Sequence, residues 1–139
     1  MRMRILIVDD DPRFQALARA LLHAAGHTVV AEGADGAQAV AALRRVRPDA
    51  ALVDVQLPDT NGLELARALT ASDSGLRIIL TSTDPTLVCP AALAESPALA
   101  FLPKDELAIT DLAPWLRAEP VLGRTPHPPS SPPYFRTRS

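Results

Sequence analysis

Apolar residues in this chain come in short unbroken runs, separated by longer stretches in which they recur every three or four positions. Ile5 to Val8 are four consecutive apolar residues, and a run without polar alternation suits a strand buried on both faces, as in the middle of a parallel sheet. Asp11 and Pro12 then offer a capping side chain and a proline suited to the first helical position. Phe14, Leu17, Ala18, Leu21 and Leu22 follow at helical spacing until Gly26, which predicts a helix of about four turns. The pattern repeats, with strands predicted over 28–31, 50–55, 77–80 and 99–102 and helices over 36–46, 63–70 and about 112–118. Pro114 is compatible with the last helix when Asp111 caps it, because the first turn does not need its missing N–H. Strand and helix alternate throughout, so the fold class is α/β, with a doubly wound five-stranded parallel sheet whose functional groups gather at the carboxyl ends of the strands.

The stretch TDPTLVCPAALAESPALAF should hold the fourth helix, and its prolines set the limits. A start at Pro85 behind an Asp84 cap would carry Pro90 into the second turn, at a cost of about 3 kcal/mol. A start at Pro90 avoids that cost, and Pro97 closes the helix. The expectation is a helix over 90–95, preceded by a mobile connection over 82–89.

Composition narrows the picture. With 139 residues, 47% of them hydrophobic, the chain has material for one core. From Glu119 onward the texture changes to EPVLGRTPHPPSSPPYFRTRS, with six of the fourteen prolines; the reading is a domain over 1–118 and a disordered, proline-rich tail over 119–139. A net charge of -2 gives no basic field for nucleic acid. One cysteine, Cys89, excludes an internal disulfide and a CxxC metal site, and it is read as a small apolar residue. Asp9 ends the first apolar run too early for a signal peptide or membrane span, so a cytoplasmic protein is expected.

Chemistry enters at the strand ends. Asp9, Asp10 and Asp11 follow the first strand and Asp54 stands at the end of the third. With Asp11 turned away as a helix cap, Asp9, Asp10 and Asp54 put three carboxylates in one pocket, a donor set suited to magnesium. Thr81 in RIILTST and Lys104 in AFLPK stand at the ends of the next two strands, where a hydroxyl and an ammonium can neutralise and orient a phosphoryl group. Singly, each has a structural reading: Asp54 a turn residue, Thr81 a strand-end hydroxyl, Lys104 a surface lysine. Together and in chain order they seldom arise by chance.

ILIVDDDP, ALVDVQLPDTNGLEL, IILTST and AFLPKDEL resemble, in this order, the motifs of the response-regulator receiver domain of two-component signalling. The resemblance covers 3 to about 118 and implies a flavodoxin-like receiver fold. By it, Asp54 is the phosphoryl acceptor, Asp9 and Asp10 the acidic pair around Mg2+, and the backbone carbonyl of Gln56 a further ligand. Thr81 is then the switch hydroxyl, Phe101 the switch aromatic that turns inward, and Lys104 the phosphate-reading lysine. Gln56 and Thr83 occupy the positions that tune dephosphorylation. FLPKDEL and LPDTNG resemble the branch that carries a DNA-binding helix-turn-helix. No such domain follows here, so the expectation is a stand-alone regulator, like the chemotaxis regulator, or one without its output module. The implied partners are a histidine kinase or phosphotransfer protein and an unknown downstream protein, with no direct nucleic-acid or membrane binding. The implied function is a switch phosphorylated on Asp54 that reshapes its fourth-helix and fifth-strand surface; the alternative is a phosphorylation-independent interaction module of the same fold. An aspartyl phosphohydrolase of the haloacid dehalogenase type would need a second aspartate where Gln56 stands, so the protein is not read as an enzyme.

Overall fold

The computed structural model describes residues 2–109 and 111–116. Strands β1 (Arg4–Val8), β2 (Thr28–Gly33), β3 (Ala50–Asp54), β4 (Arg77–Ser82) and β5 (Ala100–Pro103) form one sheet in the order β2-β1-β3-β4-β5, every pair parallel. Helices α1 (Pro12–Ala24), α2 (Gly36–Val46), α3 (Gly62–Ser72), α4 (Pro90–Glu95) and α5 (Ala113–Leu116) make the crossovers and the final cover. This is the predicted doubly wound, flavodoxin-like architecture. The tail over 119–139, and the last residues expected in α5, lie outside the described residues. Among the described residues no helix is long and apolar enough to cross a membrane.

Two cores flank the sheet, because successive side chains of a strand point to opposite faces. Ile5 and Ile7 of β1 pack with Phe14, Ala18 and Leu22 of α1 and with Leu107, Leu112 and Leu116. Leu6 and Val8 pack on the other side with Ala39 and Leu43 of α2, Leu65 and Leu69 of α3, and Leu93 of α4. The unbroken apolar run at Ile5 to Val8 is thus a strand covered on both faces. Helix starts follow their capping residues: Asp11, Asp35 and Asn61 accept from the backbone N–H of Arg13, Gln38 and Glu64, respectively. Gly62 is required at the start of α3, since a Cβ there would stand 2.6 Å from the Asp54 carbonyl oxygen.

Several boundaries move for reasons of pairing. β2 continues to Gly33, which lies opposite Val8, and β4 continues through Thr81 and Ser82, which lie opposite Leu102 and Pro103. Polar residues at strand ends dilute an apolar pattern without preventing the ladder. α4 spans Pro90–Glu95, as the two prolines predict. The connection before it is more ordered in form than expected: Pro85–Leu87 form a 3-10 turn, because the Asp84 carboxylate accepts from both the N–H and the hydroxyl of Thr86. A second 3-10 stretch, Lys104–Ile109, follows β5 where the apolar periodicity predicts no element. Cys89 is exposed and not packed as an apolar residue; it caps α4, with Sγ 3.4 Å from the Ala92 nitrogen.

His27 is buried between α1 and the first strands, and its Nδ1 accepts a hydrogen bond of 3.1 Å from the Met3 N–H. Burial, helped by the positive N-terminus, holds its pKa below the ordinary 6.5. The neutral ring is therefore favoured by the fold. As pH falls below 6.5 the unfolded chain takes up a proton that the folded chain resists, and stability is lost. Denaturant titrations between pH 7.5 and 5 should show this loss with a slope no steeper than about 1.4 kcal/mol per pH unit, the limit for one proton. The slope should flatten in His27→Asn, whose amide oxygen can still accept from Met3.

Candidate functional site

The parallel register collects the polar strand ends. Val8 lies opposite Val53, so Asp9 emerges beside Asp54, and Asp54 itself lies opposite Thr81. Thr81 lies opposite Leu102, two residues before Lys104. Carboxylate oxygens of Asp9, Asp10 and Asp54 all come within 4.8 Å of one another. Lys104 Nζ stands 2.7 Å from Asp9 Oδ2 and 3.3 Å from Asp54 Oδ2. The remaining oxygens are held by backbone: Asp9 Oδ1 accepts from the Asp11 N–H at 2.9 Å, and Asp54 Oδ1 from the Gln56 N–H at 3.1 Å. Asp11 turns away to cap α1, as expected.

Burial separates the acids into two kinds. Asp9 and Asp54 are buried, at 1% and 5% exposure, whereas Asp10 is exposed and forms the solvent side of the cluster. Burial first, and the Asp9 charge second, push the Asp54 pKa up, against the opposing pull of the Gln56 N–H and Lys104. Burial alone would lower the Lys104 pKa, yet the Asp9 and Asp54 carboxylates outweigh it and the pKa is raised. Three carboxylates against one ammonium leave an excess of negative charge among hard oxygen donors. That donor set fits a divalent cation with a preference for oxygen, and Asp9, Asp10 and Asp54 could hold one.

The other expected residues are placed differently. Thr81 is buried, and its hydroxyl has no hydrogen-bond partner among the described residues. Phe101 is already packed inward at 2% exposure, in the same core as Val88, Leu93 and Ala98. The expected inward turn therefore has no outward starting position here. Gln56 and Thr83 are both exposed; Gln56 reaches the cluster through its backbone.

Two residues that hold the site together escaped the sequence reading. Gln15 on α1 donates through Nε2 to the carbonyls of Asp9 (2.6 Å) and Gly33 (3.2 Å), tying the acidic turn to the end of β2. Asp59, in the loop that begins at Gln56, accepts from the N–H groups of Gly36 (2.8 Å) and Ala37 (3.1 Å). With Gln38 N–H on Asp35 and Ala39 N–H on the Asp35 carbonyl, the first four donors of α2 are all satisfied. The Gly36 N–H foremost holds the Asp59 pKa low. A glycine fits at 36 because a Cβ would stand 2.8 Å from Thr60 Cγ2. Sequence could signal a turn at LPDTNG, but not a partner 23 residues away.

Comparison with known proteins bears on this geometry. The family model described as the response regulator receiver domain matches residues 5–113. The DNA-binding response regulator MtrA of Mycolicibacterium smegmatis is 44% identical over 80 residues, 58% of this chain and 34% of the relative. The chain thus spans about a third of the length of that relative. Among solved structures, the signal receiver domain of NarL from Mycobacterium tuberculosis superimposes with a TM-score of 0.67 at 32% identity, covering 77% of this chain and 90% of that one. A LuxR-family two-component response regulator from Aurantimonas gives a TM-score of 0.69 at 28% identity, covering 85% and 82%.

Two stability measurements test the electrostatics. Because the fold raises the Asp54 pKa, ionising this carboxyl costs folded-state stability as pH climbs above 3.8. Asp54→Asn should therefore raise the melting temperature at pH 7 in the presence of a chelator, by roughly 4 °C for ~1 kcal/mol. Thr81→Val keeps the branched shape and removes an unpartnered buried hydroxyl. It should raise stability by about 1 kcal/mol in denaturant titration.

Proposed function

Because this chain belongs to the response-regulator receiver domain family, we propose that it is a signalling switch that takes a phosphoryl group on Asp54 from a histidine kinase or phosphotransfer protein. The observation that carries this reading is the meeting of Lys104 with Asp9 and Asp54 beside the exposed Asp10. An Asp54 oxygen forms the new bond to phosphorus as the phosphorus–nitrogen bond of the donor phosphohistidine breaks, and the imidazole keeps the electron pair and takes a proton. Asp10, Asp54 and the carbonyl of Gln56 would hold Mg2+, with Asp9 supporting them, and the ion would supply charge neutralisation for the phosphoryl oxygens. The Lys104 ammonium orients the transferred group. The buried Asp9 holds Lys104 in place, and the unpartnered Thr81 hydroxyl is a donor available to a phosphoryl oxygen.

Gln56 and Thr83, polar and uncharged, offer hydrogen bonds to an attacking water but no general base, so the phosphoryl group leaves slowly. The protein acts as a cytoplasmic switch with no separate substrate to turn over. The MtrA relative is named as DNA-binding; this chain matches about a third of it, and its acidic site and net charge of -2 suit a protein partner as reader of the fourth-helix and fifth-strand surface.

Phe101, already inward, favours a second reading in which that surface is competent without phosphorylation. Incubation with acetyl phosphate and Mg2+ separates the two. Intact-mass measurement should show one phosphoryl group on the wild type and none on Asp54→Asn. A wild type that takes none would leave the phosphorylation-independent module, and a phosphorylated Asp54→Asn would remove Asp54 as acceptor.

A further inference from the structure

Lys104 is the only lysine among the fourteen basic residues of the chain, and three groups surround its ammonium. Two are the Asp9 and Asp54 carboxylates, at 2.7 and 3.3 Å. The third is the face of the Phe14 ring, whose centroid lies 4.7 Å from Nζ. Phe14 comes from the first turn of α1 and is itself only 7% exposed, and the Lys104 side chain is 12% exposed. A cation over an aromatic face at this distance is attracted by the ring quadrupole, more strongly when both partners are removed from water.

The three partners differ in what happens to them when the site is loaded. Asp9 and Asp54 belong to the acidic cluster, so a divalent cation drawn to their oxygens competes with the ammonium for the same charge and repels it. Asp54 also gives up an oxygen when it is phosphorylated. The ring attraction depends on neither event. A lysine stem is long and flexible, and the alternative for a displaced ammonium is to extend into solvent.

We propose that Phe14 is a positioning residue for Lys104, its ring face retaining the ammonium in the site while the carboxylate partners are engaged by Mg2+. This rests on the reading of Asp9, Asp10 and Asp54 as a metal site, and it adds a residue that sequence motifs do not mark. A leucine of similar volume would fill the core beside α1 equally well but would have no quadrupole. Ring identity, not bulk, is then what matters at position 14.

The single lysine makes the test direct. Protein grown with 13C-lysine gives one lysine spin system, and its ε protons should be shifted upfield by the ring current. Addition of Mg2+ should move site resonances while this upfield shift persists. Loss of the shift on Mg2+ addition would overturn the proposal, and a site with no Mg2+ response of any kind would overturn the metal reading along with it. A second measurement replaces Phe14 with its mono-, di- and trifluorinated analogues, which change the quadrupole at nearly constant volume. The acetyl phosphate reaction rate should fall stepwise, by about tenfold over the series, with the fold intact by circular dichroism and Phe14→Tyr within twofold of wild type. Equal rates across the fluorinated series would overturn the proposal even with the fold intact.

Discussion

The structure turns on one ammonium shared by two buried carboxylates. Asp9 and Asp54 stand at the ends of adjacent strands with almost no exposure. Two like charges at that separation in a medium poorer than water repel strongly. Lys104 reaches both from the end of β5, its long side chain spanning the end of β4, which lies between β5 and β3. Removing the cation would leave charges buried without a partner, which costs more than the pair itself contributes. The crossover topology and the chemistry are thus linked, because the parallel winding puts the carboxyl ends of β1, β3 and β5 on one side of the sheet.

Around that pair the backbone is fastened. Gln15 clasps the carbonyls of Asp9 and Gly33, and Asp59 clasps the first turn of α2. Gly62 lets α3 begin directly against the end of β3. These contacts fix the loops that carry Asp10 and Gln56 to the rigid ends of strands and helices, so that the exposed groups sit on a defined frame. The exposed rim is made of Asp10 and Gln56, and the buried floor of Asp9, Asp54 and Thr81. Access and electrostatic strain are thereby divided between different residues. The floor shifts the Asp54 pKa, and the rim meets whatever enters.

The segment from Thr81 to Phe101 connects this floor to α4 and β5. Its two prolines limit α4 to six residues, and the 3-10 turn ahead of it is held by Asp84. Val88, Leu93 and Ala98 close around Phe101. The aromatic ring is thus part of the core, and a movement of Thr81 would be transmitted through packed side chains, which resist continuous deformation.

The alternation of apolar runs and helical periodicities by itself determined the order and type of the five strands and five helices, because each face needs its own period to be buried. The prolines determined the start and end of α4, since steric exclusion by proline is local. Asp9, Asp10, Asp54, Thr81 and Lys104 were legible as a set because a parallel sheet puts strand ends on one side. Only the tertiary structure decided which of these touch: that Asp9 takes the shortest contact with Lys104, that Asp10 stays in water, that Phe101 is already inward and that Cys89 is exposed. Gln15, Asp59 and Phe14 were beyond the reach of sequence for the same reason. Gln15 and Asp59 reach backbone groups, which carry no sequence signature, and Phe14 offers the site a ring face that a core helix position would disguise as ordinary packing. Local periodicity is written in neighbouring residues, while these contacts depend on distances that exist only once the sheet has closed.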